Sequence, residues 1–395
     1  MRVAVSFTNL GPYHLARLRA LAIALARRGD TLVAIETAGC ERRYPWLRSG
    51  EAEPFERATL FPDTDLESIP ASACRSSIRR YVDGVRPDAI GVVGYARPES
   101  AALLAWGRTR GVPTVLLSES QEIDWPRVWW KEAIKRRRVA RADTALVGGP
   151  SHAAYLVRLG MPPDRIRLGY NAVDNAEFAR LADRARRDPT GRVGLPGRPF
   201  FLAASRFVPE KNLDGLIAAF ARYRSRVGPG GWDLALIGGG AVEVDLRREI
   251  EAKGVVSSVH LPGFLQIGEL ARWLAHASAF IHPSRMEPWG LVVNEAAACG
   301  LPLLISRRAG CAATLVPEPP GTTGWRFDPD SIGEMADALI RMAALDEAAR
   351  EPMGRRATEV VGRWGPERFA SGMIEALELA REVASGRRVV EGVGR

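Results

Sequence analysis

Apolar positions along the chain alternate between short β-branched runs and stretches spaced by three and four residues, and the alternation is played out twice. The first series predicts a strand at 2–7, a turn through Thr8-Asn-Leu-Gly11-Pro-Tyr-His14, a helix at 15–26 and a strand at 31–35. A helix at 76–85 follows, then parallel strands at 88–93 and 113–117 with a helix between them, a strand at 143–147 and a helix ending at 159. Residues 40–75, rich in Pro, Gly and mixed charge, read as loops. The second series predicts strands at 199–204, 233–237, 277–282 and 301–305, with helices at 213–223, 267–277 and 290–299. Between the series, 180–198 is polar and turn-rich, with Asp188-Pro-Thr-Gly and Leu195-Pro-Gly-Arg-Pro as breakers. The expected organisation is a first α/β domain at 1–185, a linker at 186–198, a second α/β domain at 199–363, an amphipathic helix at 364–382 and a basic tail at 383–395.

A chain of 395 residues is too long for one ordinary core, which agrees with two domains. Met1-Arg-Val-Ala-Val-Ser-Phe enters a strand directly, so no signal peptide is expected, and no uncharged apolar run is long enough to span a bilayer. Cys40, Cys74, Cys299 and Cys311 lack CxxC spacing, which suits free thiols in a reducing compartment and predicts a cytoplasmic protein. The net charge of +9 leaves an acidic substrate, a membrane surface or nucleic acid open. Only four lysines stand against a large excess of Arg, so part of this charge reads as compositional bias.

The most informative stretch is His282-Pro-Ser-Arg-Met-Glu287-Pro-Trp-Gly290-Leu-Val-Val-Asn-Glu295-Ala-Ala-Ala-Cys-Gly300-Leu-Pro302. Pro283 ends a strand, Gly290 opens a helix, and Gly300 with Pro302 stops it. Such a unit points helix N-terminal amides at the space outside the strand ends, where an open α/β sheet binds anions. Glu287 and Glu295 bracket the helix start and suit two hydroxyl-rich parts of one ligand with a diphosphate between them. A solvated loop Glu and a helix-surface Glu are the plainer reading of the same pair.

The E-x7-E spacing of Glu287 and Glu295, with Gly290 between, resembles the motif of retaining GT-B glycosyltransferases, especially glycosyltransferase family 4. The resemblance implies two Rossmann-like domains facing each other across a cleft, with a C-terminal helix crossing back to the first. It implies that Glu287 meets the donor sugar and Glu295 the ribose, with Gly290, Leu291 and Val292 at the helix start. Arg206 and Lys211 in Ser205-Arg-Phe-Val-Pro-Glu-Lys-Asn resemble the family's basic pair on the donor diphosphate. Two fixed cations there would balance leaving-group charge without a metal. Gly238 and the segment Gly263-Phe264-Leu265 match turns that lie near the nucleotide in relatives. Asn171-Ala-Val-Asp174 resembles the segment that closes the first domain.

The implied activity is a retaining, metal-independent transferase that moves a sugar from a nucleotide-diphosphate sugar, UDP- or GDP-linked, to an acceptor hydroxyl. Lipid-linked glycan, polysaccharide, glycoconjugate and small-molecule acceptors all stay open, and no cofactor beyond the donor is expected. The alternatives are a nucleotide-sugar epimerase or hydrolase on the same fold, or a non-catalytic, membrane-docked sugar-nucleotide binder. In the first half Leu10-Gly11 stands where the family has a double Gly, and Gly11 would let backbone approach the donor phosphates or the acceptor. His14 reads as acceptor base or sugar contact, or equally as a capping and packing histidine. Relatives place a histidine after the strand at 113–117; here Glu119 stands nearby and takes over part of its role. Asp63-Thr-Asp65 matches the D-x-D of metal-dependent transferases by chance, and no metal site is expected.

Trp125, Trp129, Trp130, Lys131, Lys135, Arg136, Arg137 and Arg138 form the most basic segment. Aromatics beside a basic helix suit an interfacial helix on the anionic inner face of a membrane. A solvated helix whose Trp residues pack on the domain is the other reading. No nucleic-acid motif accompanies the patch, so nucleic acid is not expected.

Overall fold

The computed structural model describes residues 1–41 and 52–393. It divides into two units, Met1–Val173 with Trp364–Arg395, and Asp174–Arg363.

In the first unit the strands are β1 (Arg2–Phe7), β2 (Thr31–Cys40), β3 (Glu56–Asp65), β4 (Ala89–Val93), β5 (Thr114–Ser118), β6 (Thr144–Val147) and β7 (Ile166–Leu168). They form a parallel sheet in the order β3-β2-β1-β4-β5-β6-β7, so the order reverses between β1 and β4. Helices α1 (Pro12–Ala26), α2 (Ala71–Val85), α3 (Pro98–Arg110), α4 (Trp129–Val139) and α5 (Pro150–Arg158) connect them. Strands buried on both faces read as continuous apolar runs, as in Val115, Leu116 and Leu117 of β5. The C-terminal helix Pro366–Val393 covers one face, packing Phe369, Met373, Ala376 and Leu377 against Leu15, Leu18 and Leu21 of α1.

In the second unit β8 (Phe200–Ala204), β9 (Asp233–Ile237), β10 (Val259–Gly263), β11 (Ala279–His282), β12 (Leu303–Ser306) and β13 (Gly324–Phe327) form a parallel sheet, in the order β10-β9-β8-β11-β12-β13. The order reverses between β8 and β11. Around it lie α6 (Asn175–Arg187), α7 (Leu213–Val227), α8 (Glu243–Ala252), α9 (Ile267–His276), α10 (Leu291–Ala298), α11 (Ala312–Leu315), α12 (Ile332–Ala343) and α13 (Glu347–Val361). Phe201, Phe220, Tyr223, Leu236 and Leu339 centre its core.

The structure differs from the sequence reading at five places. Residues 56–65, expected as loop, are the strand β3; its Pro62 is tolerated because β3 lies at the sheet edge. Residues 42–51 of the same expected loop lie outside the described residues. The helix expected at 76–85 starts at Ala71. Residues 180–187, expected as first-domain chain leading into a linker, belong to α6 and to the second unit. Asp174 caps that helix by accepting from the Glu177 amide at 2.9 Å, and Phe178 and Ala182 are its buried face. The expected tail at 383–395 is helical to Val393, because Ala384 is buried and Arg387 pairs with the buried Asp143 at 2.7 Å.

The fifth difference concerns the basic helix α4. Lys135 and Arg138, expected among the basic residues of an interfacial helix, both turn inward. Lys135 Nζ donates to the Tyr155 hydroxyl at 2.9 Å, and Arg138 Nη1 donates to the carbonyls of Tyr95 and Ala96, each at 2.9 Å.

Candidate active site

Ligands of an open parallel sheet sit outside the carboxyl ends of its strands, where the order reverses. In the second unit that point lies between β8 and β11, and the loops leaving those two strands carry the expected residues. After β8 the chain runs through Ser205 and Arg206 into a turn of 3-10 helix, Pro209–Lys211, and then α7. Asn212 joins them with φ +55°, a left-handed conformation that Asn tolerates better than most residues. Its side-chain amide donates to the carbonyls of Pro283 at 3.1 Å and Pro329 at 2.7 Å, pinning the Lys211 turn to the loop after β11. The backbone adds a second clamp, since the Arg285 amide donates to the Glu210 carbonyl at 2.9 Å.

These clamps bring Lys211 and Glu287 together. Lys211 Nζ donates to Glu287 Oε2 at 2.5 Å, and His282 Nε2 donates to the same oxygen at 2.7 Å. Ser284 Oγ sits 3.1 Å from that His282 nitrogen. Burial alone would raise the Glu287 carboxyl; the Lys211 ammonium and then the His282 hydrogen bond overcome it and hold the group down at about 2. Glu287 is therefore a carboxylate at neutral pH, an acceptor only, suited to sugar hydroxyls and unsuited to proton donation. Its Oε2, engaged by two donors, is a poor nucleophile.

Gly290 follows at φ +99° and caps α10. A Cβ there would lie 3.3 Å from Glu287 Cγ, so the glycine serves both the turn and the packing of Glu287 over the helix start. The first amides of α10, at Leu291 and Val292, have no acceptor within the helix by its geometry, and the cap residue, Gly290, has no side chain to supply one. Trp289 is buried and donates from Nε1 to Asn294 Oδ1 at 2.9 Å, fixing the loop to the helix it enters. Glu295 is fully buried within α10 and is not a helix-surface residue. Arg206 is partly exposed, 3.9 Å from Glu210.

Gly238 has a clear structural task. At φ +136°, a Cβ on it would lie 1.9 Å from the Ser205 carbonyl oxygen, so the loop that carries Arg206 lies directly on it. Gly263 ends β10 at φ +84°, followed by an exposed Phe264 and a half-buried Leu265.

The first unit gathers its candidate groups at the carboxyl ends of β1 and β5. Gly11 caps α1 in an extended conformation, φ −80°, that any residue adopts. Its amide donates to His14 Nδ1 at 3.3 Å, and the imidazole packs on Phe7 with ring centroids 4.6 Å apart. His14 thus makes the capping and packing contacts. Burial and then Arg17 push its pKa down to about 3, so it is neutral, and with Nδ1 accepting, its proton lies on Nε2 as a donor. Glu119 is exposed and accepts from Asn171 Nδ2 at 2.7 Å.

Four positioning groups escaped the sequence reading. His282 and Asn212 were within quoted motifs but were given no role. Arg17 is a fully buried guanidinium that donates to the Ala172 carbonyl at 2.9 Å and lies over the Tyr170 ring at 5.1 Å. Glu36, fully buried in β2, accepts from the Leu10 amide at 2.7 Å, Thr59 Oγ1 at 2.8 Å and Arg57 at 2.9 Å. A charged residue inside an apolar strand was the one available signal for Glu36. Among the described residues, no group of three His, Cys, Asp or Glu side chains converges as a metal site.

Comparison with known proteins agrees with this fold. The family model for glycosyl transferases group 1 matches residues 192–360, and that for Glycosyltransferase Family 4 matches residues 16–177. An Anabaena protein solved in complex with UDP and glucose superposes with a TM-score of 0.70 at 16% identity, covering 96% of this chain and 99% of its own. The two parallel sheets, like those of the solved structures, define the GT-B fold. Within that fold the chain resembles glycosyltransferase family 4, whose model matches its first half.

Among curated relatives, a GDP-mannose-dependent alpha-(1-6)-phosphatidylinositol monomannoside mannosyltransferase of Mycolicibacterium smegmatis is 32% identical over 224 residues, 54% of this chain and 55% of its own length. A D-inositol 3-phosphate glycosyltransferase of an Arthrobacter species is 31% identical over 272 residues, 67% of this chain and 62% of its own. The chain thus spans 55% and 62% of the length of these two relatives.

Proposed function

We propose that the chain transfers a sugar, with retention of anomeric configuration, from a UDP- or GDP-sugar to an acceptor hydroxyl of a lipid-linked or glycoconjugate substrate. The observation that carries this reading is the Lys211–Glu287–His282 cluster at the sheet reversal, beside the start of α10. The α10 amides, Arg206 and Lys211 bind the diphosphate, and Glu287 accepts hydrogen bonds from the sugar. In the reaction the bond from the anomeric carbon to the phosphate oxygen breaks, and the acceptor oxygen bonds that carbon on the same face. The acceptor proton passes to the departing phosphate oxygen, whose charge Arg206 and Lys211 stabilise in place of a metal. Glu119 and His14 are acceptor-side groups, His14 as hydrogen-bond donor. The relatives' inositol-containing names favour a cyclitol or its lipid conjugate as the first acceptors to screen.

The test is to incubate the protein with UDP- and GDP-sugars and such acceptors, with EDTA present, and to read the new linkage by its anomeric proton coupling. An α-linked product from an α-linked donor is expected. Inversion, a strict metal requirement, or donor hydrolysis in place of transfer would overturn the reading.

A further inference from the structure

Helix α4 packs one side of itself on the first unit and, among the described residues, leaves the other facing solvent. Its inward groups form a closed network around the Tyr155 hydroxyl, which accepts from Arg127 Nη1 at 2.7 Å and Lys135 Nζ at 2.9 Å and donates to Glu132 Oε2 at 2.9 Å. The Arg127 guanidinium also lies 4.4 Å above the Tyr155 ring. With Arg138 bound to the Tyr95 and Ala96 carbonyls, this network fixes the rotation of the helix about its axis.

That rotation turns the large apolar side chains to solvent. Trp129 is 83% exposed and Trp125 66%, with Ile123, Trp130 and Ile134 exposed beside them. Lys131, Arg136 and Arg137 are exposed on the same helix, and the nearby Glu122 is already paired with Arg158. Soluble proteins rarely leave so many large apolar groups together in water without a use for them. Tryptophan with lysine and arginine is the combination that settles at a lipid headgroup boundary, the rings at the interface and the cations on anionic headgroups. A second copy of the chain fits poorly, because a two-fold contact would set the same cations against each other. Among the described residues no helix is long and apolar enough to cross a membrane, so this face would lie on a bilayer.

We propose that the face formed by Ile123, Trp125, Trp129, Trp130, Lys131 and Arg137 docks the chain on a bilayer of anionic lipid, with Tyr155 as the anchor that orients it. The proposal stands on the first unit alone and does not depend on the transferase reading. Vesicle sedimentation with the whole chain tests it, using phosphatidylglycerol-containing and pure phosphatidylcholine vesicles at low and high salt. Preferential binding to the anionic vesicles, weakened by salt, is expected. Trp129→Ser with Trp130→Ser, and separately Lys131→Glu with Arg137→Glu, should each cut the partition about tenfold or more. Nucleotide binding should stay unchanged, since these exposed side chains lie outside the donor site. Quenching of tryptophan fluorescence by brominated lipid should be reduced in the Trp variant. Equal binding to both vesicle types, or variants that bind like the wild type, would overturn the proposal. So would dimerisation in solution that the same substitutions abolish, which would assign the face to a second copy.

Discussion

Lys211 Nζ and Glu287 Oε2 lie 2.5 Å apart although 76 residues separate them in the chain. Two loops from adjacent strands meet only because Asn212 and the Glu210 carbonyl tie one to the other. The pair therefore serves as scaffold and as charge balance at once, and substitutions on its two sides should separate those roles.

Glu287→Gln keeps the shape and removes the charge. Transfer should fall by about 10²–10³, as when one group preorganised for a transition state is lost. Nucleotide affinity should stay within a few-fold if, as proposed, the nucleotide rests on the α10 amides and the basic pair. Steady-state rates beside calorimetric titration check this; equal loss of both would refute the division of labour.

The same variant has a signature in acid. The folded-state pKa of Glu287 is depressed from 4.5 to about 2. Its contribution to stability is therefore fully present above pH 4.5 and lost as pH falls through about 2. Thermal midpoints across that range should fall less steeply in Glu287→Gln than in the wild type.

His14 acts in the same sense, in a window at higher pH. The unfolded chain takes up its proton near 6.5, but the folded one holds out to about 3. Stability should therefore decline as pH drops through 6.5 and level off below about 3, a slope that His14→Gln flattens. Because His14 is neutral with its proton on Nε2, the variant should lower transfer without shifting any limb of the pH–rate profile near 6.5. A displaced limb would make His14 the acceptor base.

Gly238→Ala should cost about 3 kcal/mol or more of stability, combining a left-handed φ with a Cβ inside the Ser205 carbonyl. Gly263→Ala, with a similar φ of +84° but nothing within 4 Å, should cost only about 1 kcal/mol. Chemical denaturation of both variants checks the contrast.

Asn212→Gly retains the left-handed turn and deletes both clamps to Pro283 and Pro329. About 1–3 kcal/mol of stability should be lost, and transfer should fall further than stability alone explains, since Lys211 is no longer held against Glu287. Denaturation and rate measurements on the same preparation separate the two effects.

What the sequence made legible follows from locality. Gly290, Gly300 and Pro302 are backbone signals that act within a turn of themselves, and they placed α10 to within a residue. Arg206 and Lys211 have no local signal of their own and were reached through resemblance. Strand β3 was obscured by its charges and by Pro62, which only an edge position tolerates. Helix α6, with four arginines and only Phe178 and Ala182 buried, looked like linker because its apolar stripe is narrow. Contacts between distant residues were out of reach. The Glu36 carboxylate that sets the Leu10 amide, and Tyr155 that turns Lys135 inward, are known only once the strands and helices are assembled.

The central claim is that a nucleotide diphosphate is held at the start of α10 by Arg206 and Lys211. Calorimetric titration of UDP and GDP, with EDTA present, into the wild type, Arg206→Ala and Lys211→Ala tests it most directly. One of the two nucleotides should bind the wild type, and each variant should weaken it by about tenfold or more. Binding that survives both substitutions, or that requires a divalent metal, would contradict the account.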